Sequence, residues 1–326
     1  MGDSCVIEGS EVLAMLSNSE KFVDLGTPRR VWAVAAIHSD CDRLMTLHDH
    51  LAARFAVNDR LVYLGNYLGA GARDNTAVLD ELLAFRAALL SKPGMETSDI
   101  VYLRGPAEES WQRLLRLQFA PVPAHTLEKY LEAGVEAYLR LYGISLSDTK
   151  AIARADSVTI TRWTNQLRVT QRLAPGHEPF MNGMRRAAIT RPPQSGAQRL
   201  LFVPASFDSG RSLEDQADAL WFGTNPFHIP ERSQPLYSRI VRGLDTARGG
   251  VQTEGAAVTL DGGCGRGGPL VCGCFDAFGK LAEIIAVGGQ GAVESMPYDK
   301  EDRAQTPHIE PRPVSDYWTG QMAASA

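Results

Sequence analysis

Two apolar runs, each ending in polar residues, dominate the first third of the chain. Val31 to Ile37 leads into His38, and Leu61 to Leu64 leads into Gly65 and Asn66. Between the runs, apolar residues recur at the spacing of one helical face; they are Leu44, Leu47, Leu51 and Phe55. The pattern predicts strand, helix and strand. Because the carboxyl ends of strands in open α/β sheets carry binding and catalytic groups, polar residues there are candidates for function.

The remaining chain continues this alternation and then changes character. The pattern predicts a helix near 11–15, a second helix at 75–90 and a third strand at 100–103, followed by helices over 109–142 and about 148–172. Later strands follow one another without helices between them. We predict an α/β fold, a βαβαβ sheet sandwich flanked by helices, with a helical insertion at about 109–190. The predicted organisation is a lead-in at 1–29, a single domain at 30–288 and a tail at 289–326, poorly ordered or lying on the surface.

Composition and charge narrow the functional classes. The chain has 326 residues, 44% hydrophobic and 22% charged, with a formal charge of −5. An acidic chain lacks the basic face that a general nucleic-acid binder needs. The sequence contains no apolar run of about 18 residues and no signal-peptide layout at its start, so we expect no membrane partner and a cytoplasmic location.

The cysteines offer a candidate metal site that the sequence does not favour. Cys264, Cys272 and Cys274 lie close together among five cysteines. Their spacing fits no zinc pattern with paired C-x-x-C knuckles, and no fourth ligand is evident. We predict a structural role for them.

Several segments have the order and spacing of known phosphatase motifs. Residues 35–39 read A-A-I-H-S, residues 59–71 read D-R-L-V-Y-L-G-N-Y-L-G-A-G, and residues 103–108 read L-R-G-P-A-E. Further along, residues 201–207 read L-F-V-P-A-S-F and residues 240–245 read I-V-R-G-L-D. The chain resembles the calcineurin-like metallophosphoesterases, in particular the bacterial serine/threonine protein phosphatase and diadenosine tetraphosphatase branch. The resemblance covers roughly residues 30–287 and implies that family's fold.

The resemblance also implies a chemistry that these residues do not support. The family uses two divalent metals (Mn, Fe or Zn) to activate water and polarise phosphoryl oxygens. Its motifs are G-D-I-H-G, G-D-Y-I-D-R-G, G-N-H-E and two later histidines, and this chain departs from them at most ligand positions. The family's catalytic and metal positions are occupied here by Ala36, Gly69, Ala70, Pro106, Ala107, Pro204 and Leu244. Only His38 and Asn66 remain as relic positions, and one imidazole and one neutral amide do not hold two dications. We therefore expect no catalytic residues, no metal and no other cofactor.

Three cationic or neutral side chains remain as possible anion ligands. Arg104, Arg242 and His38 would face the same edge of the sheet and could bind phosphate without hydrolysing it. Alternatively, the arginines form ion pairs with Glu108, Asp245 or Asp261. A third hypothesis is a one-metal site that combines His38 with Asp40, Asp42 and Glu109.

Three functional hypotheses follow. The first is a catalytically inactive pseudo-phosphatase that acts as a regulator or scaffold and binds a protein or a phosphorylated ligand. The second is a divergent phosphoesterase, acting on phosphoproteins or dinucleoside polyphosphates through a remodelled metal site. The third is a structural subunit of a larger assembly, joined through the helical insertion or the tail. Because one fold hosts many functions, the sequence does not identify the partner.

Overall fold

A computed structural model describes residues 20–69, 76–194, 197–223, 227, 229, 236–247 and 250–297. The strands are β1 (Phe22–Asp24), β2 (Arg30–Val34), β3 (Asp59–Tyr63), β4 (Ile100–Tyr102), β5 (Ala187–Ile189), β6 (Arg199–Val203), β7 (Tyr237–Arg242), β8 (Gln252–Glu254), β9 (Ala257–Thr259), β10 (Leu270–Asp276), β11 (Leu281–Val287) and β12 (Val293–Pro297). The helices are α1 (Cys41–Arg54), α2 (Thr76–Leu90), α3 (Pro106–Leu114), α4 (Pro123–Glu132), α5 (Glu136–Leu141), α6 (Leu146–Ile152), α7 (Ser157–Leu173), α8 (His177–Gly183) and α9 (Ala219–Phe222).

The strands form two mixed sheets of six strands each. The first sheet has the order β12-β11-β10-β2-β3-β4 and the second has the order β1-β5-β6-β7-β9-β8. Strands β2, β3 and β4 are parallel because α1 and α2 supply the crossovers between them. In the second sheet β6, β7 and β9 are parallel. The predicted α/β sandwich with a βαβαβ unit is confirmed.

Strand alternation explains how the layers pack. Val31 and Ala33 of β2 join the apolar layer between the two sheets, with Phe202 and Val241 of the second sheet. Trp32, on the opposite face of β2, packs in a second core with the helices. Because successive strand residues point to opposite faces, both faces of the first sheet are buried and β2 reads as a continuous apolar run.

Helix α1 forms where the sequence predicts it. Asp40 caps it by accepting from the Arg43 backbone N–H at 3.2 Å. His48 of this helix is buried: its Nε2 is 2.8 Å from the Tyr63 hydroxyl, and its ring stacks on Phe85 at 3.8 Å. Burial lowers the pKa of His48 to about 3. His48 is therefore a core residue of the helix–sheet layer.

Several predicted boundaries differ from the structure. Phe22–Asp24, placed in the lead-in, is an edge strand paired with β5, and Val293–Pro297, placed in the tail, is an edge strand paired with β11. The predicted helical insertion at 109–190 begins at Pro106 and ends at Gly183, and β5 lies inside the predicted range. The predicted helix near 11–15 and the tail after 297 lie outside the described residues.

Cys264, Cys272 and Cys274, the three cysteines close together in sequence, are buried and form no disulfide. Cys264 donates from Sγ to the Ile37 carbonyl at 3.1 Å, while Cys272 and Cys274 lie on β10. Burial raises the pKa of Cys264 and of Cys274 to about 12, so these thiols stay protonated at neutral pH. Within the described residues, no helix has the length and apolarity that crossing a membrane requires.

Candidate functional site

The loops that follow β2, β3, β4, β6 and β7 meet at one edge of the sandwich, which we call the strand-end site. The Ala36 N–H donates to the Gly243 carbonyl at 3.1 Å, and the Leu244 N–H donates to the Pro204 carbonyl at 3.1 Å. The His38 N–H donates to the Asn66 carbonyl at 3.0 Å. These backbone bonds join loops from both sheets, so the structure brings together the strand ends that the sequence singled out.

The backbone at this edge is held in an uncommon conformation. His38, Ser39 and Asn66 have φ values of 50°, 66° and 57°, in the left-handed region that residues other than glycine seldom adopt. Ser39 is further fixed because its Oγ accepts from the Gly69 N–H at 2.9 Å. Each such residue costs free energy that surrounding contacts must offset. Backbone and side-chain hydrogen bonds thus hold the loops after β2 and β3 against each other.

His38 is enclosed by two glycines. A Cβ atom at Gly69 would lie 2.6 Å from the His38 Cβ, and one at Gly265 would lie 2.4 Å from it. The Nε2 atom of His38 is buried and has no hydrogen-bond partner within the described chain. Burial, reinforced by Arg266, lowers the pKa of His38 to about 4, against the opposing effect of Asp261. The imidazole is therefore neutral at pH 7, and an aspartate at Gly69 would have no room without a backbone shift.

An apolar cluster lies at the centre of the strand-end site. Ala36, Ala205 and Leu244 are buried together, and Pro204 beside them is also buried. Ala36, Pro204 and Leu244 occupy three of the positions where the resemblance would place metal ligands. Among the residues that the structure describes, no group of three or more His, Cys, Asp or Glu is placed to hold a metal ion. The residues present do not fit a pair of divalent ions, which need several anionic oxygen or imidazole ligands.

The arginine of β7 is neutralised inside the protein. Arg242 Nη2 lies 3.0 Å from Asp245 Oδ1, its Nε donates to the Thr259 hydroxyl at 2.9 Å, and its guanidinium stacks over Phe227 at 4.3 Å. Burial lowers the pKa of Arg242, while Asp245 opposes that shift. Asp261 forms its own ion pair with Arg266 at 2.8 Å.

The arginine that follows β4 has a different acid partner from the one predicted. Arg104 Nη1 lies 3.1 Å from Glu109 Oε2, not against Glu108, and its Nε is buried without a partner in the described chain. Arg242 is grouped with Asp245, whereas Arg104 is grouped with Glu109 and Arg113. The anion site of Arg104, Arg242 and His38 stays a prediction, and its alternative, internal ion pairs, has direct contacts in the structure.

Glu108 is a component of the site whose role the sequence analysis missed. It is fully buried, and its carboxylate accepts from the backbone N–H groups of Asn66 (2.8 Å), Tyr67 (3.1 Å) and Gly105 (2.8 Å) and from the Tyr138 hydroxyl (2.5 Å). Burial raises the pKa of Glu108, and these four hydrogen bonds counter the rise. Glu108 thus holds the loops after β3 and β4 together, and among the described residues it forms no ion pair with an arginine.

The other residues that the sequence singled out lie in helix starts, caps and ion pairs. Pro106 and Ala107 are buried in the first turn of α3, where the proline suits a helix start. The hypothetical one-metal site is not assembled, because Asp40 caps α1 and Glu109 pairs with Arg104 and Arg113. Ala70 lies outside the described residues.

Comparisons with known proteins give structural neighbours only. No family model matches the chain, and no curated protein matches it. Similar solved structures include a protein assigned as a diadenosine tetraphosphatase, at 16% identity, covering 86% of this chain and 99% of the other with a TM-score of 0.41. A protein serine/threonine phosphatase from Saccharomyces cerevisiae is 12% identical, covering 89% and 90% with a TM-score of 0.40. A cold-active protein-tyrosine phosphatase of a psychrophilic Shewanella is 15% identical, covering 85% and 83% with a TM-score of 0.41.

Proposed function

We propose that this protein is a pseudo-phosphatase, which uses a phosphatase-like sandwich to bind a partner and does not hydrolyse phosphate esters by two-metal chemistry. In this role it acts as a regulatory or scaffold protein. The observation that carries the proposal is the buried cluster of Ala36, Ala205 and Leu244, which fills the point where the strand ends of both sheets meet.

The acids near this point are already committed to other partners. Asp245 is bonded to Arg242, Asp261 to Arg266, and Glu109 to Arg104 and Arg113. Glu108 accepts four hydrogen bonds inside the core. Binding a dication would require several of these carboxylates to leave their cations or donors, and each partly buried arginine would then lose its ion-pair partner. The local charge arrangement therefore supports a site that is stable without metal.

A second candidate within this proposal is binding of a phosphorylated ligand at the same edge. Asn66 Nδ2 and Arg104 Nε are buried donors without a hydrogen-bond partner among the described residues. Buried donors normally find an acceptor, so a phosphate oxygen that reached either donor would remove an existing cost. The Arg242–Asp245 pair opposes this candidate, because the aspartate competes with any anion for the guanidinium.

The proposal is tested by metal content and hydrolysis measured on the full-length protein. We expect elemental analysis after incubation with Mn, Fe and Zn to find far less than one ion per chain. Hydrolysis of p-nitrophenyl phosphate and of a dinucleoside polyphosphate with added Mn should match that of His38→Ala. Near-stoichiometric metal, or Mn-dependent hydrolysis that His38→Ala abolishes, would establish the divergent-phosphoesterase hypothesis instead.

Protein purified from its native source is needed to distinguish the regulator hypothesis from the structural-subunit hypothesis. A structural subunit should elute from size exclusion in a complex of fixed stoichiometry that survives dilution. A regulator or scaffold should exchange between free and bound forms as concentration falls. A permanent complex would therefore replace the first hypothesis with the third.

A further inference from the structure

A small polar pocket lies among the helices that follow β4. It has a volume of about 160 Å³ and lies between α3, the turn after it, α7 and α8. Its lining residues are Gln112, Leu115, Arg116, Arg168, Gln171, Glu178 and Asn182. None of these residues belongs to the strand-end site. A volume below the roughly 300 Å³ of typical small-molecule sites restricts the occupant to a small chemical group.

The pocket concentrates positive charge. Arg116 and Arg168 both line it, and burial together with repulsion from Arg116 and Arg172 lowers the pKa of Arg168. Arg168 is held in place because its Nη1 donates to Asn165 Oδ1 at 2.6 Å and its Nη2 donates to the Leu115 carbonyl. Both of these acceptors are neutral. Because these acceptors carry no charge, they do not offset the repulsion between the arginines, and a bound anion would reduce it.

The carboxylate in the lining does not cancel this charge. Glu178 Oε1 accepts from Arg172 Nε at 2.8 Å. That bond commits Glu178 to a third arginine, one that is not itself a lining residue. Two arginines in the lining therefore face one carboxylate that is already paired.

One side-chain amide adds a neutral donor to the pocket. Gln112 Nε2 is buried and has no hydrogen-bond partner within the described chain. Gln171, which also lines the pocket and is only 4% exposed, accepts from Trp111 Nε1 at 2.8 Å through its Oε1. An unsatisfied buried donor costs about 1–3 kcal/mol, and an acceptor in the pocket would remove that cost.

We propose that this pocket binds a small tetrahedral oxyanion, the phosphate group of inorganic phosphate or of a phosphate monoester. Arg116 and Arg168 supply the charged donors, and Gln112 supplies a neutral one. Guanidinium groups suit this role because their planar donors match two oxygens of one phosphate. The proposal is independent of the proposed function, since it uses none of the strand-end residues.

The test is a calorimetric titration of the full-length protein with inorganic phosphate and, separately, with O-phosphoserine at constant ionic strength. Arg116→Gln removes one charged donor from an exposed position, and Gln112→Leu removes the amide. Arg162→Gln is the matched control, because Arg162 is exposed on the same helix as Arg168 and does not line the pocket. Urea midpoints of all variants verify that each one folds.

We expect saturable binding at one site, weakened about tenfold or more by Arg116→Gln and by Gln112→Leu, and unchanged by Arg162→Gln; one charge-assisted hydrogen bond is worth about that factor. Tighter binding of O-phosphoserine would identify a monoester as the source, and tighter binding of phosphate a free anion. Absence of saturable binding would overturn the proposal. Equal binding by the wild type and Arg116→Gln would also overturn it, while leaving the strand-end candidate intact.

Discussion

The arginines of the strand-end site and of the helical pocket differ in their partners. At the strand ends, Arg242 and Arg266 each meet a carboxylate of their own, Asp245 and Asp261. In the helical pocket, Arg168 donates to neutral acceptors and lies near a second arginine, Arg116. An arginine that is already paired gains little from a ligand, whereas a repelled one gains a partner. The two regions therefore differ in local charge balance, and the proposed anion site follows that balance rather than position at the strand ends.

The largest expected effect tests whether the strand-end site is truly closed to charge. Ala36→Asp would place a carboxylate beside Ala205 and Leu244, at a position that is 1% exposed. We expect the free energy of unfolding in urea to fall by about 3–5 kcal/mol, because the charge is buried without a partner.

The control is Ala84→Asp on the exposed face of α2, which should cost less than about 1 kcal/mol. Addition of Mn should not restore the stability of Ala36→Asp. Recovery of the stability of Ala36→Asp with micromolar Mn would show that the strand-end site accepts a cation. The contrast with the helical pocket would then be wrong.

Glu108→Ala should have the next largest effect. The substitution leaves three backbone N–H groups and the Tyr138 hydroxyl without their acceptor. Loss of about 3 kcal/mol in unfolding free energy is expected, since buried donors lose their partners without gaining water. Glu128→Ala on α4 is the comparison, because the Glu128 side chain is 62% exposed. Equal small losses in both variants would mean that Glu108 does not fasten the loops.

The sequence predicts the layered fold because the fold depends on local patterns. The alternation along β2 and β3 and the stripe along α1 each indicate their element without reference to the rest of the chain. Edge strands are less visible: Phe22–Asp24 is only three residues long, and Val293–Pro297 is polar and ends in proline. Such strands owe their conformation to a neighbour's hydrogen bonds, which a pattern along the chain does not record.

The strand-end site shows the same division between local and long-range information. Motif order is sufficient to bring Ala36, Asn66 and Leu244 to one edge. The role of Glu108 was missed because its donors are backbone N–H groups of a loop more than 40 residues earlier, at Asn66 and Tyr67. The exchange of Glu108 for Glu109 as the partner of Arg104 depends on which face of α3 each acid occupies. Neighbouring helix positions point about 100° apart, so Glu108 and Glu109 face different surroundings. The predicted pairing of Arg104 with Glu108 is wrong for this reason.

Gly69→Ala should have an intermediate effect and tests how tightly His38 is enclosed. The new Cβ would lie 2.6 Å from the His38 Cβ, so either the loop or the ring must move. We expect a loss of about 1–3 kcal/mol in urea unfolding, as for overpacked sites. Gly183→Ala is the matched control, because a Cβ there meets nothing within 4 Å. An unchanged free energy of unfolding in Gly69→Ala would show that the strand-end site has space for larger residues, including the aspartate of the family motif.

The smallest effect is a pH dependence that belongs to His38. Its pKa is about 4 in the folded protein, below the ordinary value of 6.5, so the unfolded chain binds the proton more readily. The stabilisation is complete above pH 6.5 and is lost as the pH falls from 6.5 towards 4. Between pH 7 and pH 5.5 His38 should contribute about 1 kcal/mol to the loss of stability. His38→Asn, which tolerates the left-handed backbone, should lessen the decline by that amount, whereas His125→Asn, at a side chain that is 63% exposed, should leave it unchanged. The measurement is a set of urea unfolding curves across this range, and an identical decline in His38→Asn and the wild type would show that the His38 ring is not held neutral by burial.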